Sequence, residues 1–469
     1  MKLALVPMYR SSGADPPIGL GSIATYLKEY GNFDNTVIID AKYENIIDEL
    51  RKEKPNIIGL SAMTMYYGKA CELAKNIKKE FKDVVILIGG VHISTLPESF
   101  DPVFDIGVIG EGEETMFDLM KAFRSNKTKK SDLKKINGLV FSDKNKLVIT
   151  KPREMIMSLD RIPIIDRSFF SKRFKNKCIL ETRKAVRMAN IMTSRGCPYH
   201  CRFCSTSLFW KKYRMHSVRR VADEIEYLYR NYKVEFISIW DDLFLVNKER
   251  LKELANDLKK RGILGKIKFN AMARANLVDD ELCRIANELG VIFFNFGFES
   301  GSDRMIKYLK RESVTLDNNK KSVILCKKYG IRVGAALIIG SPTETIDDMR
   351  KTVEFINFLR KQDAEIAWLS IMSPLPGTEM WDIALKRGRV SNHMDWRTLS
   401  EYHLGKPILL DDDVDYEEFK MVFSEARSKI RYFEMKLWLR RFFNNPLMVT
   451  KIALSGLRFL KFFTLERAE

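Results

Sequence analysis

Short apolar runs alternate with amphipathic stretches over the first quarter of the chain. Residues 2–7, 36–40, 56–61, 84–89 and 105–110 are dominated by apolar side chains, the pattern of strands covered on both faces. Between them, residues 20–30, 45–54, 67–81 and 115–123 carry apolar positions at helical spacing. Strand–helix alternation predicts right-handed crossovers and a parallel, doubly wound Rossmann-like sheet over residues 1–125. Ligands on such sheets sit beyond the carboxyl ends of the strands. Ser61, Thr64, Gly89, Gly90 and His92 fall there, followed by Gly110-Glu111-Gly112-Glu113.

A second rhythm begins near residue 186. Residues 188–193, 235–240, 268–272, 291–298, 332–339 and 365–370 predict strands, with helical patterns between them such as 218–229 and 248–260. Six such units predict a partial (β/α)6 TIM-like barrel over residues 186–400, with its chemistry at the C-terminal ends of the strands. Polar residues follow those ends: Asp241 and Asp242, Arg274, Glu299 and Ser300, Gly340 and Ser341, and Ser373. Residues 126–185 predict a bridge that includes a hairpin around 138–151. Residues 401–469 predict a basic helical region. The whole chain is expected to be α/β.

Bulk numbers add three constraints. A chain of 469 residues with 45% hydrophobic and 30% charged residues is long enough for several cored domains. Its net charge of +19 fits either an acidic partner or a Lys-rich solvated surface. The first residues lack the make-up of a secretory signal, and no run is apolar enough to span a bilayer. The expected location is therefore the cytoplasm.

Seven cysteines are present, and three are crowded together. An odd, clustered set argues for a metal site in a reducing compartment rather than a disulfide framework. Cys197, Cys201 and Cys204 have C-x3-C-x2-C spacing directly after the first barrel strand. Thiolates hold iron–sulfur clusters, which normally take four cysteines. A cluster held by three leaves one iron open, as a catalytic metal keeps an open position. A zinc site completed by His200 or His216 competes with this reading. Cys71, Cys178, Cys283 and Cys326 are expected to pack in cores.

The run TSRGCPYHCRFC at 193–204 resembles the cluster loop of the radical S-adenosylmethionine (SAM) superfamily, including the aromatic Phe203 before the last cysteine. FNFGFESGSDRMIKYLKR (294–311), GAALIIGSPTET (334–345) and PLPGTEMWDIALKRG (374–388) resemble members with an N-terminal cobalamin-binding domain. Pro16 to Gly21, Gly59 to Thr64, GGVHIS with Pro97 and Glu98, and GEGE at 110–113 resemble that domain itself. The likeness covers roughly residues 1–400 and extends to the anaerobic magnesium-protoporphyrin ester cyclase-like subfamily.

The resemblance implies a 4Fe–4S cluster on Cys197, Cys201 and Cys204. It implies SAM contacts from Phe203, Asp242, Arg274, Glu299 and Gly340, and a cobalamin seat at Ser61, Thr64, Gly89 and Gly90. In the family, SAM is cleaved reductively to a deoxyadenosyl radical that abstracts hydrogen from an unactivated carbon. Some members then methylate that carbon, while others cyclise or rearrange rings or modify lipids. An external reductant such as flavodoxin or ferredoxin and a small-molecule or lipid-like substrate are implied as partners. The D-x-H-x-x-G motif that supplies a cobalt ligand elsewhere is absent, so no residue is named for that role. Transfer-RNA methylthiolation would need a second cysteine triad in the first block, which holds only Cys71. Nucleic acid is thus not expected as a partner, and a non-catalytic corrinoid binder would not need an open iron.

Residues 447–463 place Lys451, Ser455 and Arg458 on one helical face and Val449, Ile452, Leu457, Leu460 and Phe463 on another. Such a basic amphipathic helix either lies in a membrane interface or docks on the barrel.

Overall fold

The computed structural model describes residues 1–8, 16–40, 45–170, 177–179, 185–399 and 407–443. The amphipathic run at 447–463 lies outside the described residues. Among the described residues, no helix is long and apolar enough to cross a membrane.

The first sheet holds β1 (Leu3–Pro7), β2 (Thr36–Ile38), β3 (Ile57–Ser61), β4 (Val85–Gly89), β5 (Ile106–Val108), β6 (Leu139–Asp143) and β7 (Lys146–Ile149), in the order β2-β1-β3-β4-β5-β6-β7. Pairing is parallel from β2 through β5 and antiparallel from β5 to β7. Every residue of β1 and β5 is buried, as their unbroken apolar runs require. The strand order reverses at β1, so the cleft above β1 and β3 is the switch point where such sheets bind ligands. The hairpin expected in the bridge is present, but it pairs with β5 and extends the first sheet.

The second sheet holds β8 (Lys177–Ile179), β9 (Ala185–Ile191), β12 (Val234–Ile239), β13 (Lys268–Ala273), β14 (Val291–Glu299), β15 (Arg332–Ile339) and β16 (Glu365–Ile371). A two-residue ladder, β10 (Ser194–Arg195) with β11 (Arg214–Met215), stands apart from it. The six strands from β9 to β16 are parallel neighbours in sequence order, the open barrel that the apolar rhythm predicts. Alternation along β14 buries Phe294, Phe296 and Phe298 against the outer helices and turns Asn295, Gly297 and Glu299 to the opposite, inner face. Side chains of Ser217, Asn247, Asp279, Thr315 and Thr345 cap the following helices, each cap contributing about 1 kcal/mol.

One apolar cluster joins the first unit to segments that follow the barrel strands. Tyr67, Ala70, Ala74 and Ile93 of the first unit join Met372, Met380, Trp381, Trp396 and Leu399 from beyond the barrel. His92 belongs to this core and not to a ligand site. Its ring lies 4.0 Å from that of Tyr67 and 4.4 Å from that of Trp396, and its Nε2 meets Ser99 Oγ at 2.9 Å. Burial depresses its pKa to about 3. The helix Tyr416–Phe443 buries Phe419, Val422, Ala426 and Ile430 in the barrel core, and Glu418 on it pairs with Arg350 at 2.5 Å.

Candidate active site

The cysteine loop is rooted by a carboxylate. Asp241, just after β12, is 2% exposed. It accepts from the Thr193 and Ser194 amides at 2.5 and 3.0 Å and from their hydroxyls at 2.5 and 2.7 Å. Arg250 adds bonds to the Thr193 carbonyl and the His216 carbonyl, both at 3.1 Å. The chain leaves this root, passes through the β10–β11 ladder and encloses the three cysteines. Gly196 has φ +90°, and a Cβ there would lie 2.6 Å from the Lys212 carbonyl, so glycine is required at the neck.

Cys197, Cys201 and Cys204 are free and half-buried. Burial pushes the Cys197 thiol up to about 11 and raises that of Cys204, with the neighbouring sulfurs adding to both effects. The three sulfurs thus sense one another, although no three His, Cys, Asp or Glu side chains among the described residues stand at metal-ligand spacing. The donor set fits a cluster with one open iron: three thiols, with the cationic Arg274 beside them. Zinc completed by histidine fits less well. His216 is hydrogen-bonded to Asp160 at 3.2 Å on another wall, and His200 is exposed.

The residues assigned by resemblance to SAM separate into two groups. Phe203 and Glu299 line a cavity of about 320 Å³ with Met65, Ile338, Trp368 and Ser370. Glu299 is buried, has φ +66° and pairs with the buried Lys310 at 3.2 Å. A left-handed glutamate is costly backbone, held by its surroundings at a cavity wall. Arg274 Nη1 donates to Cys201 Sγ at 3.4 Å, and its guanidinium stacks on the Tyr199 ring at 3.8 Å.

The other two residues serve the scaffold. Asp242 accepts from Gly196 N at 3.2 Å and Thr206 Oγ1 at 3.1 Å, bracing both ends of the cysteine loop. Gly340, at φ +78°, turns beneath Pro407, Ile371 and Phe419 and does not line the cavity.

The cobalamin candidates separate likewise. A cleft of about 250 Å³ opens at the switch point of the first sheet, lined by Ser61, Gly89, Gly90, Gly110 and Ile18, among others. A Cβ on Gly89 would meet protein atoms only at 3.9 Å, whereas one on Gly90 would lie 2.5 Å from the Ala62 carbonyl. Gly89 therefore leaves room in the cleft, and Gly90 is fixed by its own backbone. Thr64 is buried at the start of the helix Thr64–Glu80 and does not line the cleft. The apolar and glycine lining fits the bulky tail of a corrinoid.

Sequence reasoning missed the opposite wall of this cleft. Met192, Arg195, Trp210, His216 and Arg220 supply it from the barrel side. Cys71, Cys283 and Cys326 are buried in the cores, as expected of them.

Comparison with known proteins agrees with this arrangement. Residues 191–356 match the radical SAM superfamily and residues 10–119 the B12 binding domain. An uncharacterized methyltransferase of Pyrococcus horikoshii is 30% identical over 450 residues, spanning 94% of this chain and 93% of that protein. The anaerobic magnesium-protoporphyrin IX monomethyl ester cyclase of Rubrivivax gelatinosus is 27% identical, over 93% of this chain and 78% of that protein. The structure of the radical SAM methyltransferase TsrM from Kitasatospora setae, with cobalamin and a 4Fe–4S cluster, shares the fold. Its TM-score is 0.66 at 18% identity, covering 82% of this chain and 75% of that one. The chain belongs to the cobalamin-binding branch of the radical SAM superfamily, and is an enzyme whose cofactors are a 4Fe–4S cluster, SAM and cobalamin.

Proposed function

We propose that the enzyme methylates an unactivated carbon of a small molecule. The observation that carries this reading is the position of the cleft. Its barrel-side wall includes Arg195, two residues before Cys197, so the cobalamin seat adjoins the root of the cluster loop. The relatives named as methyltransferases point the same way. When bound, the cluster supplies the electron that cleaves SAM, and cobalamin supplies a methyl group.

The chain's own residues position these groups. Cys197, Cys201 and Cys204 would hold the cluster, and Arg274, beside Cys201, would offer its cation to the SAM carboxylate. Glu299 and Phe203 orient SAM in the second cavity, with Glu299 held by its ion pair to Lys310. Asp242 and Gly340 act on SAM through the loop and turn they hold. Ser61 and Gly89 shape the cobalamin slot. The domains divide near residues 125, 185 and 400, and the hairpin β6–β7 of the bridge extends the sheet of the first unit. Flavodoxin or ferredoxin as the reductant, and membrane contact through residues 447–463, rest on sequence alone.

The competing reading is radical ring cyclisation, favoured by the ester cyclase relative. Product balance separates the two. Methylation consumes one SAM as methyl donor, releasing S-adenosylhomocysteine, and a second as radical source, releasing deoxyadenosine and methionine. Cyclisation releases only the latter pair. Reduced, anaerobic incubation with methyl-deuterated SAM and metabolite extract, followed by mass spectrometry, should show a labelled product and both nucleosides. Deoxyadenosine without S-adenosylhomocysteine or label would overturn methylation.

A further inference from the structure

The GEGE run of the first unit does more than line the cleft. Glu111 and Glu113 are buried, and each bonds a buried arginine at the neck of the cysteine loop. Arg195 Nη1 donates to Glu111 Oε1 at 2.7 Å and its Nη2 to Glu113 Oε1 at 2.5 Å. Arg214, which faces Arg195 across the β10–β11 ladder, donates to Glu111 Oε2 at 2.9 Å. Ser22, on the cleft-lining helix Ile18–Gly31, donates to Glu113 Oε1 at 2.7 Å. The Trp210 ring lies 5.2 Å from the Arg195 guanidinium and 5.8 Å from that of Arg214. All four charged side chains are at most 8% exposed.

Three of these residues, Arg195, Glu111 and Glu113, form cleft wall as well as clasp, together with Trp210 and Ser22. An occupant of the cleft therefore touches the groups that hold the neck of the cluster loop. Buried charged groups at this spacing have few alternative arrangements, because leaving one unpaired is costly. A shift of Glu113 or Trp210 must be followed by Arg195, and Arg195 is joined through Gly196 to Cys197. Coupling of two sites through a shared set of contacts is reciprocal.

We propose that Arg195 is a positioning residue that couples occupancy of the cobalamin cleft to the geometry of the cluster loop, and hence to SAM binding at the open iron. Binding of SAM to cluster-loaded, cobalamin-free protein is measured by equilibrium titration before and after addition of hydroxocobalamin. Electron paramagnetic resonance of the reduced cluster is recorded in parallel. In the wild type, SAM affinity should change at least about 5-fold on adding cobalamin, the lower end of typical coupling, and the cluster signal should shift.

Arg195→Lys keeps the charge but not the fork, so the ratio should fall. Because a single deletion strands buried carboxylates, a variant with E111Q, E113Q, R195M and R214M together removes the charges as a set. It should bind each cofactor with a SAM affinity ratio near 1. An unchanged ratio in that variant, or a wild-type ratio near 1 with both cofactors bound, overturns the proposal. A wild type that takes up no cobalamin would instead overturn the cobalamin assignment itself.

Discussion

Replacing Asp241 by Ala should unseat the cluster loop without touching any cysteine. The buried carboxylate accepts two amide and two hydroxyl hydrogen bonds from Thr193 and Ser194. Alanine leaves both amides without a partner. A buried, unsatisfied donor costs about 1–3 kcal/mol, so the two amides together cost about 2–6 kcal/mol. The hydroxyls can rotate and are left out of the sum. Asp241→Asn is the control, since its amide oxygen replaces Oδ1 for both N–H groups and the hydroxyls can turn to accept from its NH2. Its cost should stay below about 1.5 kcal/mol. Urea denaturation followed by circular dichroism measures the difference, and iron per chain after anaerobic reconstitution reports the loop. Equal stability and equal iron content in D241A and D241N would refute the reasoning.

Further outcomes follow from other buried groups. Lys310→Met should cost about 3–5 kcal/mol by stranding Glu299, and E299Q/K310M should recover most of it, as read by thermal melting. Burial raises the Glu344 carboxyl to about 8, above its unfolded value. The stability it contributes is full below that unfolded value and is lost as pH rises through 8. Melting temperature should therefore fall between about pH 5 and 8 in the wild type, level off above 8, and fall less in E344Q. Equal slopes would contradict this. Gly89→Val should abolish cobalamin uptake, seen in the visible spectrum, with melting unchanged, whereas Gly90→Ala should lower the melting temperature.

The strands were legible because burial on both faces leaves long apolar runs. The six barrel strands lie within three residues of their expected bounds, and the cysteine spacing marked its loop. What stayed hidden depends on contacts between distant residues. The β10–β11 ladder is two residues long on each side, too short for any periodicity to register. Arg195 and Glu111 are 84 positions apart, and nothing local marks either as a partner of the other. Asp241 and Asp242 are neighbours of identical chemistry, and only the fold shows that one roots the loop and the other braces its ends. His92 follows a glycine pair at a strand end, the usual place for a ligand contact. The packing of Trp396 from beyond the barrel instead puts it in the core.

The central claim is that three thiolates hold a cluster whose open iron binds SAM. Electron paramagnetic resonance of the anaerobically reconstituted, reduced protein tests it most directly, recorded with and without SAM. The account predicts a reduced 4Fe–4S signal whose g-values shift when SAM is added, and no such signal in C197A, C201A or C204A. A signal indifferent to SAM, or zinc in place of iron at the three cysteines, would contradict it.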